Sequence, residues 1–430
     1  MNKYKKWIIG VISFIILSLA FYNYFLLKFL FPIDKNIKEF ISNNYIVIDS
    51  IDPMAESFDD LIFLKQSIGK SDIVFLGEQD HGDGPTMLAK TRIVKFLYEE
   101  MGFDVIVFES DFYGLNNAWE KDLKRNSKGG EYIENIYPIW TECKECNALF
   151  KYIDQKSNTK RPLQIAGADP RHSLKYSKNN YLHELTDFLD ERIHKIDSSQ
   201  RSFFLNTIKN TIENEYNIKI KATDQKKLFG LINKFKEEIE SNSFWYQELN
   251  NLEGFVRNSL DTLKSNNIRD IQMGNNLLWL IKHKYKGKKI IFWSSNFHII
   301  KEFKQLNKYS QFTNNADTIN TGSYIYEKLK DKLFVLGFTS YEGRGGRILS
   351  EAYTIPEPTL NHFESLVYNE GSDYGYLDFK KGRKKNSEKA FFMKAMVHKP
   401  VLASWFKMFD GIFYIKNMYP CNTINGNNEK

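Results

Sequence analysis

An α/β fold with a parallel-sheet core and flanking helices is predicted by three observations. Five short β-branched apolar runs recur along the 430 residues: Asp72 to Leu76, Val105 to Phe108, Leu163 to Ala166, Lys289 to Trp293 and Leu333 to Gly337. The runs are almost continuously apolar, as strands buried on both faces are, and helical patterns separate them. Each run is followed at once by polar or ionisable side chains, and a parallel sheet delivers such loops to its carboxyl edge.

Taken in order, the chain opens with Met1-Asn-Lys-Tyr-Lys-Lys6 and then carries no charge from Trp7 to Leu27. That length spans a bilayer. Residues 1–32 are therefore expected to form an uncleaved, single-pass signal anchor in the cell membrane. Lys3, Lys5 and Lys6 would hold the N-terminus in the cytoplasm and place the catalytic domain on the extracytoplasmic side. Ser18-Leu-Ala20 is a passable small-x-small cleavage site, but the apolar run continues past it. One α/β domain is expected over 33–420, with a polar tail at 421–430.

Within that domain, Pro85 to Met101 has a helical apolar face made by Met87, Leu88, Ile93, Val94, Phe96 and Leu97, and Gly102 ends it. From about residue 175 to 283 no strand pattern occurs. Charged helical segments at Leu182 to Ile196, Ser202 to Tyr216, Asp224 to Ser241 and Trp245 to Ser265 predict a helical insertion able to cap a pocket.

Composition excludes several classes. With 42% hydrophobic and 15% aromatic residues the chain has enough material for a large core. The net charge of +7 is dispersed among acids, so no nucleic-acid partner is expected. The run Lys380-Lys-Gly-Arg-Lys-Lys385 reads as a solvated loop. Three cysteines make no disulfide scaffold, and Cys143 and Cys146 read as a structural pair, reduced or bridged locally, without a second pair to complete a zinc site.

The chemistry lies in the strand-end loops. After the first run come Glu78 and His81; after the second, Glu109 and Asp111; after the third, Asp169, Arg171 and His172; after the fourth, Ser294, Ser295, Asn296 and His298; after the fifth, Ser340, Glu342 and Arg344. No Gly-x-Ser-x-Gly elbow, Walker motif or Gly-x-Gly-x-x-Gly opens a helix after a strand, so serine-hydrolase and nucleotide-binding readings are disfavoured. Gly343-Arg-Gly-Gly346 reads as a turn. His81 is the expected general base toward water, with Glu78 orienting it or polarising the same water, and Glu109 a second carboxylate of raised pKa. The same chemistry leaves a metal shell of Glu78, His81, Glu109 and His298 open.

Gly77-Glu-Gln-Asp-His-Gly82, the helix closing on Glu99-Glu-Met-Gly-Phe103, and Val105 to Glu109 together resemble the opening motif of the erythromycin esterase family. Trp140-Thr-Glu142, Gly167-Ala-Asp169, Arg269-Asp-Ile-Gln-Met273 and Trp293 to His298 extend the resemblance over roughly Ser50 to Lys380. It implies hydrolytic opening of a macrolide lactone in the named members, with water activated at a histidine and glutamate cluster. His81 then takes the place of the base, Glu78 and Glu109 of the two carboxylates, and His298 of the second histidine in a histidine-asparagine-x-histidine segment. The first histidine of that segment falls on Ser295. A basic residue on the helix after His81 corresponds to Arg92 or Lys90, and an arginine there would suit a developing oxyanion. Asp169, Asn296, Ser295 and Lys90 are expected at the substrate.

The leading expectation is thus a membrane-anchored hydrolase of a small-molecule ester or lactone, with the lipid bilayer as its other partner. No cofactor is required, and a divalent metal is left open. The alternatives are a metal-dependent amide or peptide hydrolase and a degenerate, non-catalytic binding member, the latter prompted by Ser295.

Overall fold

The computed structural model describes residues 7, 10–15, 18, 33–125, 130–215, 218–261, 265–310, 318–348 and 350–424. All five apolar runs are strands, and they lie side by side. They are β2 (Ile73–Leu76), β3 (Phe103–Asp111), β4 (Gln164–Asp169), β5 (Lys289–Trp293) and β6 (Leu333–Gly345), joined by β1 (Ile46–Ile48), β7 (Tyr353–Ile355), β8 (Tyr374–Asp378) and β11 (Gly411–Met418). The sheet order is β1-β8-β11-β6-β2-β5-β3-β4, with β7 paired to β6. Neighbours from β11 through β4 are parallel, and β8 runs antiparallel to β11 and β1. β9 (Phe391–Met396) and β10 (Lys399–Ala403) form a separate antiparallel hairpin.

Successive side chains explain why the core strands carry no polar face. Ile73, Phe75, Val105, Val107, Ile290 and Phe292 enter one apolar cluster, while Val74, Leu76, Ile106, Phe108, Ile291 and Trp293 enter the other. The period of two sorts neighbours to opposite faces, and helices cover both. The first cluster takes Met273 and Leu277 from the helix Ser265–Trp279, and the second takes Met87, Ile93 and Phe96 from the helix Gly84–Met101. Each such side chain, fully withdrawn from water, contributes roughly 1.5–3 kcal/mol. Gly102 ends the second of these helices at φ 76°, a left-handed cap that suits glycine.

Between β4 and β5 stand the helices Lys175–Arg192, Ser198–Glu213, Ala222–Lys236 and Phe244–Leu260, which share a core of their own around Leu185, Phe204, Ile232 and Phe255, and then Ser265–Trp279, which packs on the sheet. The first of them begins earlier than the apolar pattern suggested, at Lys175, because its opening turn packs Tyr176 and Ser177 inward.

Several expectations are corrected. Lys380 to Lys385 is not a loop but part of the helix Phe379–Asn386, where Arg383 bonds Asp410 at 2.8 Å and Lys380 reaches the Ser67 carbonyl at 2.9 Å. Gly343 to Gly345 continue β6 before the chain turns at Gly346. Cys143 pairs not with Cys146 but with Cys421, 278 residues away, and Cys146 is a buried free thiol. The chain end is tied down accordingly: Asn422 donates to Glu145 at 2.6 Å and Ile424 N to the Glu142 carbonyl at 3.0 Å. The expected anchor lies largely outside the described residues. Among the described residues no helix is long and apolar enough to cross a membrane.

Candidate active site

The loop after β2 holds the first half of the site. Glu78 is completely buried, and three donors converge on its carboxylate: His81 Nδ1 at 2.8 Å, Trp140 Nε1 at 3.0 Å, both on Oε1, and Lys90 Nζ on Oε2. Lys90 lies 3.9 Å above the Trp293 ring and 3.3 Å from the Ser294 carbonyl. Burial presses the Lys90 amine below its ordinary value while the Glu78 carboxylate opposes the shift. His81 keeps 14% of its side chain exposed, the one opening in a group that is otherwise sealed. The loop can turn so tightly because residue 82 is glycine: a Cβ there would sit 1.8 Å from the Gly346 carbonyl oxygen.

The second half hangs from the ends of β3, β4 and β5. β3 slips register between Phe108 and Asp111, so Glu109 falls in an irregular stretch, a common device for re-aiming a side chain beside a site. Glu109 Oε1 meets Arg269 Nη2 at 2.7 Å and His298 Nε2 at 3.2 Å, and Oε2 accepts from Ser294 Oγ at 2.5 Å. Arg269 also grips Asp169, whose carboxylate accepts from Tyr137 OH at 3.2 Å. His298 Nδ1 faces Asp270 at 2.7 Å, and Asp270 is itself held by Thr321 N and Oγ1 at 2.9 and 2.8 Å. Ser294 joins the halves, accepting from Lys90 through its carbonyl and donating to Glu109 through its hydroxyl.

This geometry corrects the expected protonation states. Burial alone would raise Glu109, yet the positive His298 and Arg269 hold its carboxyl well below the usual carboxylate range, opposite to expectation. Burial would lower His298, but Asp270 and Glu109 overcome it and push the imidazole up to about 10. A histidine on that side of neutrality is a fixed cation, so His298 is not a base at pH 7. Lys90, not Arg92, is the basic residue that the helix Gly84–Met101 brings to the cluster. Arg92 points away, bonded to both oxygens of Asp60 at 2.6 and 2.9 Å and to the Ser50 and Ser57 carbonyls at 2.6 and 2.7 Å.

Other assignments move as well. Asn296 is fully buried and spends its amide on the Phe338 and Ala395 carbonyls at 2.8 and 2.7 Å, so it is a backbone brace and not a group facing substrate. Asp169 is occupied by Arg269. Ser295 is 7% exposed and precedes the short helix Asn296–Ile299 without capping it by its side chain. Among the described residues the donors of Glu78, His81, Glu109 and His298 are not gathered into one set, and the carboxylate oxygens of Glu78 and Glu109 face Lys90, Arg269 and Ser294. Cys143, Glu145 and Cys421 do converge, but the two sulfurs are bonded to each other.

Arg269 and Asp270 were absent from the expected site. Their signal was available, since they are the only charged pair in the otherwise uncharged stretch from Ile268 to Ile281, and both are buried. A cavity of about 690 Å³ lies elsewhere, walled by Gln272, Asn275 and Trp279 of the same helix. None of the clustered residues lines it, and convergent ionisable chemistry outweighs volume in locating the site.

The erythromycin esterase family model matches residues 98–416. The chain is 27% identical over 320 residues to the Bacillus subtilis (strain 168) protein described as "Putative hydrolase YbfO", covering 68% of this chain and 70% of that one. It is 23% identical over 348 residues to the Escherichia coli erythromycin esterase type II, covering 74% and 80%. In fold it is similar to a crystal structure of a succinoglycan biosynthesis protein (TM-score 0.72, 19% identity, 90% of this chain and 98% of that one). It is also similar to a mutant of the erythromycin esterase EreC in its open conformation (TM-score 0.62, 14% identity, 86% and 96%). The chain belongs to the erythromycin esterase family and is a hydrolase of α/β architecture.

Proposed function

We propose that the chain opens an ester or lactone bond in a small-molecule substrate by attack of water activated at His81. The observation that carries this reading is the asymmetry of His81: Nδ1 is held by Glu78 at 2.8 Å, while its side chain keeps 14% exposure beside the fully buried Glu78 and Lys90. Glu78 fixes the tautomer with the proton on Nδ1, leaving the Nε2 lone pair for a water proton. As water adds to the substrate carbonyl, the imidazolium that forms is stabilised by the same carboxylate, whose charge Lys90 balances. His298 and Arg269 hold the carboxylate of Glu109 in place beside Ser294, with Asp169 and Asp270 fixing the two cations in turn. No step runs through a metal.

The reading also places the domain outside the cytoplasm. Support comes from the uncharged segment after Lys3, Lys5 and Lys6, and from the Cys143–Cys421 disulfide, since such bonds persist in oxidising compartments. Thiol alkylation in intact cells checks this: Cys146 alone should react after denaturation, and three reactive thiols would refute it.

The function itself is tested by incubating the full chain with a panel of esters, lactones and amides, with and without chelator. Chelator-insensitive turnover of an ester or lactone supports the proposal. Turnover of amides alone, lost with chelator, would instead favour a metal-dependent amide hydrolase. Ser295 favours one further alternative, a binding protein that has lost catalysis. Ligand binding without turnover, joined to a gain of turnover in Ser295→His, would establish that alternative.

A further inference from the structure

The β9–β10 hairpin has an improbable turn. Its two loop residues, Val397 and His398, adopt φ of 49° and 54°, the signs of a type I′ turn, a place where Asn-Gly or Asp-Gly is usual. For a β-branched valine this is an outlier, and such conformations persist only where surrounding contacts over-determine them. Here those contacts lead to the loop that carries Glu78 and His81. Val397 N donates to the Gln79 carbonyl at 3.2 Å, and Gln79 Nε2 donates to the Lys394 carbonyl at 2.6 Å. His398, 3% exposed, sits between Ser340 Oγ on β6, 3.0 Å from Nδ1, and Asp83 Oδ1, 2.9 Å from Nε2.

Asp83 shows what the tether does. It occupies the N-cap of the helix Gly84–Met101, yet its carboxylate caps nothing in that helix. Oδ2 turns back to accept the Asp80 amide at 2.9 Å, while Asp80 Oδ1 accepts the His81 amide at 2.9 Å. A continuous chain of bonds thus runs from a sheet strand to the backbone of His81. Ser340, His398 and Asp83 are not a nucleophilic triad: all three are buried from any substrate, and the carboxylate sits on Nε2 and the hydroxyl on Nδ1.

We infer that His398 is a positioning residue, holding the Gln79–Asp83 loop, and with it His81, in register with the sheet through Asp83. The inference rests on the reading of His81 as the base.

Two glycine substitutions in the full chain separate the tether from the turn, because glycine accepts both left-handed positions equally. His398→Gly should lower kcat by about tenfold or more with KM within about twofold, and should speed hydrogen exchange of the Asp80 amide about tenfold. Val397→Gly should leave both unchanged with an equal or higher Tm. His398→Gln, whose Nε2 can reach Asp83, should restore the Asp80 protection and most of kcat. Wild-type exchange at Asp80 in His398→Gly, or identical behaviour of the two glycine variants, would overturn the inference. Should the wild type turn over no ester, the exchange measurement still decides the tether, and the missing turnover counts against the proposed function alone.

Discussion

The two histidines of the site stand in opposite electrostatic situations. His81 has one carboxylate on one nitrogen and a partly exposed edge, whereas His298 is clamped between Asp270 and Glu109 and pushed up to about 10. A base must be able to gain a proton near neutrality, and a group already charged cannot. The difference teaches that sharing a strand-end edge does not make two histidines equivalent. The count of carboxylates facing His298 is what holds it above its ordinary range.

Breaking the closed half should have the largest effect. Arg269→Met leaves Glu109 and Asp169 as buried carboxylates without their shared cation, at a cost of about 3–5 kcal/mol. Urea unfolding should show the lowered midpoint, and an unchanged midpoint would mean the knot is not what holds the strand ends together. On the open half, His81→Ala should remove turnover by about 10²–10⁴-fold, roughly 3–5 kcal/mol in barrier, with little change in Tm. Full activity in that variant would end the assignment of the base.

A smaller, pH-dependent effect follows from the same contrast. The folded His298 lies near 10, above its ordinary 6.5, so its stabilisation is complete below pH 6.5 and is lost as the pH rises through 10. Glu109 works in the other direction: its carboxyl is depressed from 4.5, so its contribution is present above that value and is lost on further acidification. Unfolding free energy should therefore fall between pH 6.5 and 10, on the order of a few kcal/mol. His298→Asn should flatten that alkaline slope. An unaltered slope would show that His298 is not held as a cation. The smallest change is expected from Ser295→His, within about threefold in turnover, below 1 kcal/mol in barrier, if His81 already suffices as base.

Much of this was legible in the residues, and the failures have particular causes. The five central strands announce themselves because burial on both faces leaves them no polar positions. β8, Tyr-Gly-Tyr-Leu-Asp, carries no such run, and its antiparallel place beside β11 comes from pairing. The β9–β10 hairpin is hidden because Val397-His398 contradicts turn propensity, its conformation being imposed by the loop it grips. Glu78 and His81 could be found from their place after a strand. Arg269 and Asp270 come from a helix more than 150 residues further on, and only folding brings them to Glu109 and His298.

By itself, then, the sequence determined the layer structure and the edge at which polar groups gather, and it put Glu78 and His81 side by side there, because period, burial and strand-end position are local properties of the chain. The tertiary structure alone decided that Lys90 and not Arg92 faces Glu78, that Cys143 finds Cys421, and that His298 is clamped between two carboxylates while His81 meets one. Those outcomes depend on which distant groups the fold brings together, and both disulfide geometry and electrostatic energy in a low-dielectric interior are set by distances of a few ångströms that no sequence spacing encodes.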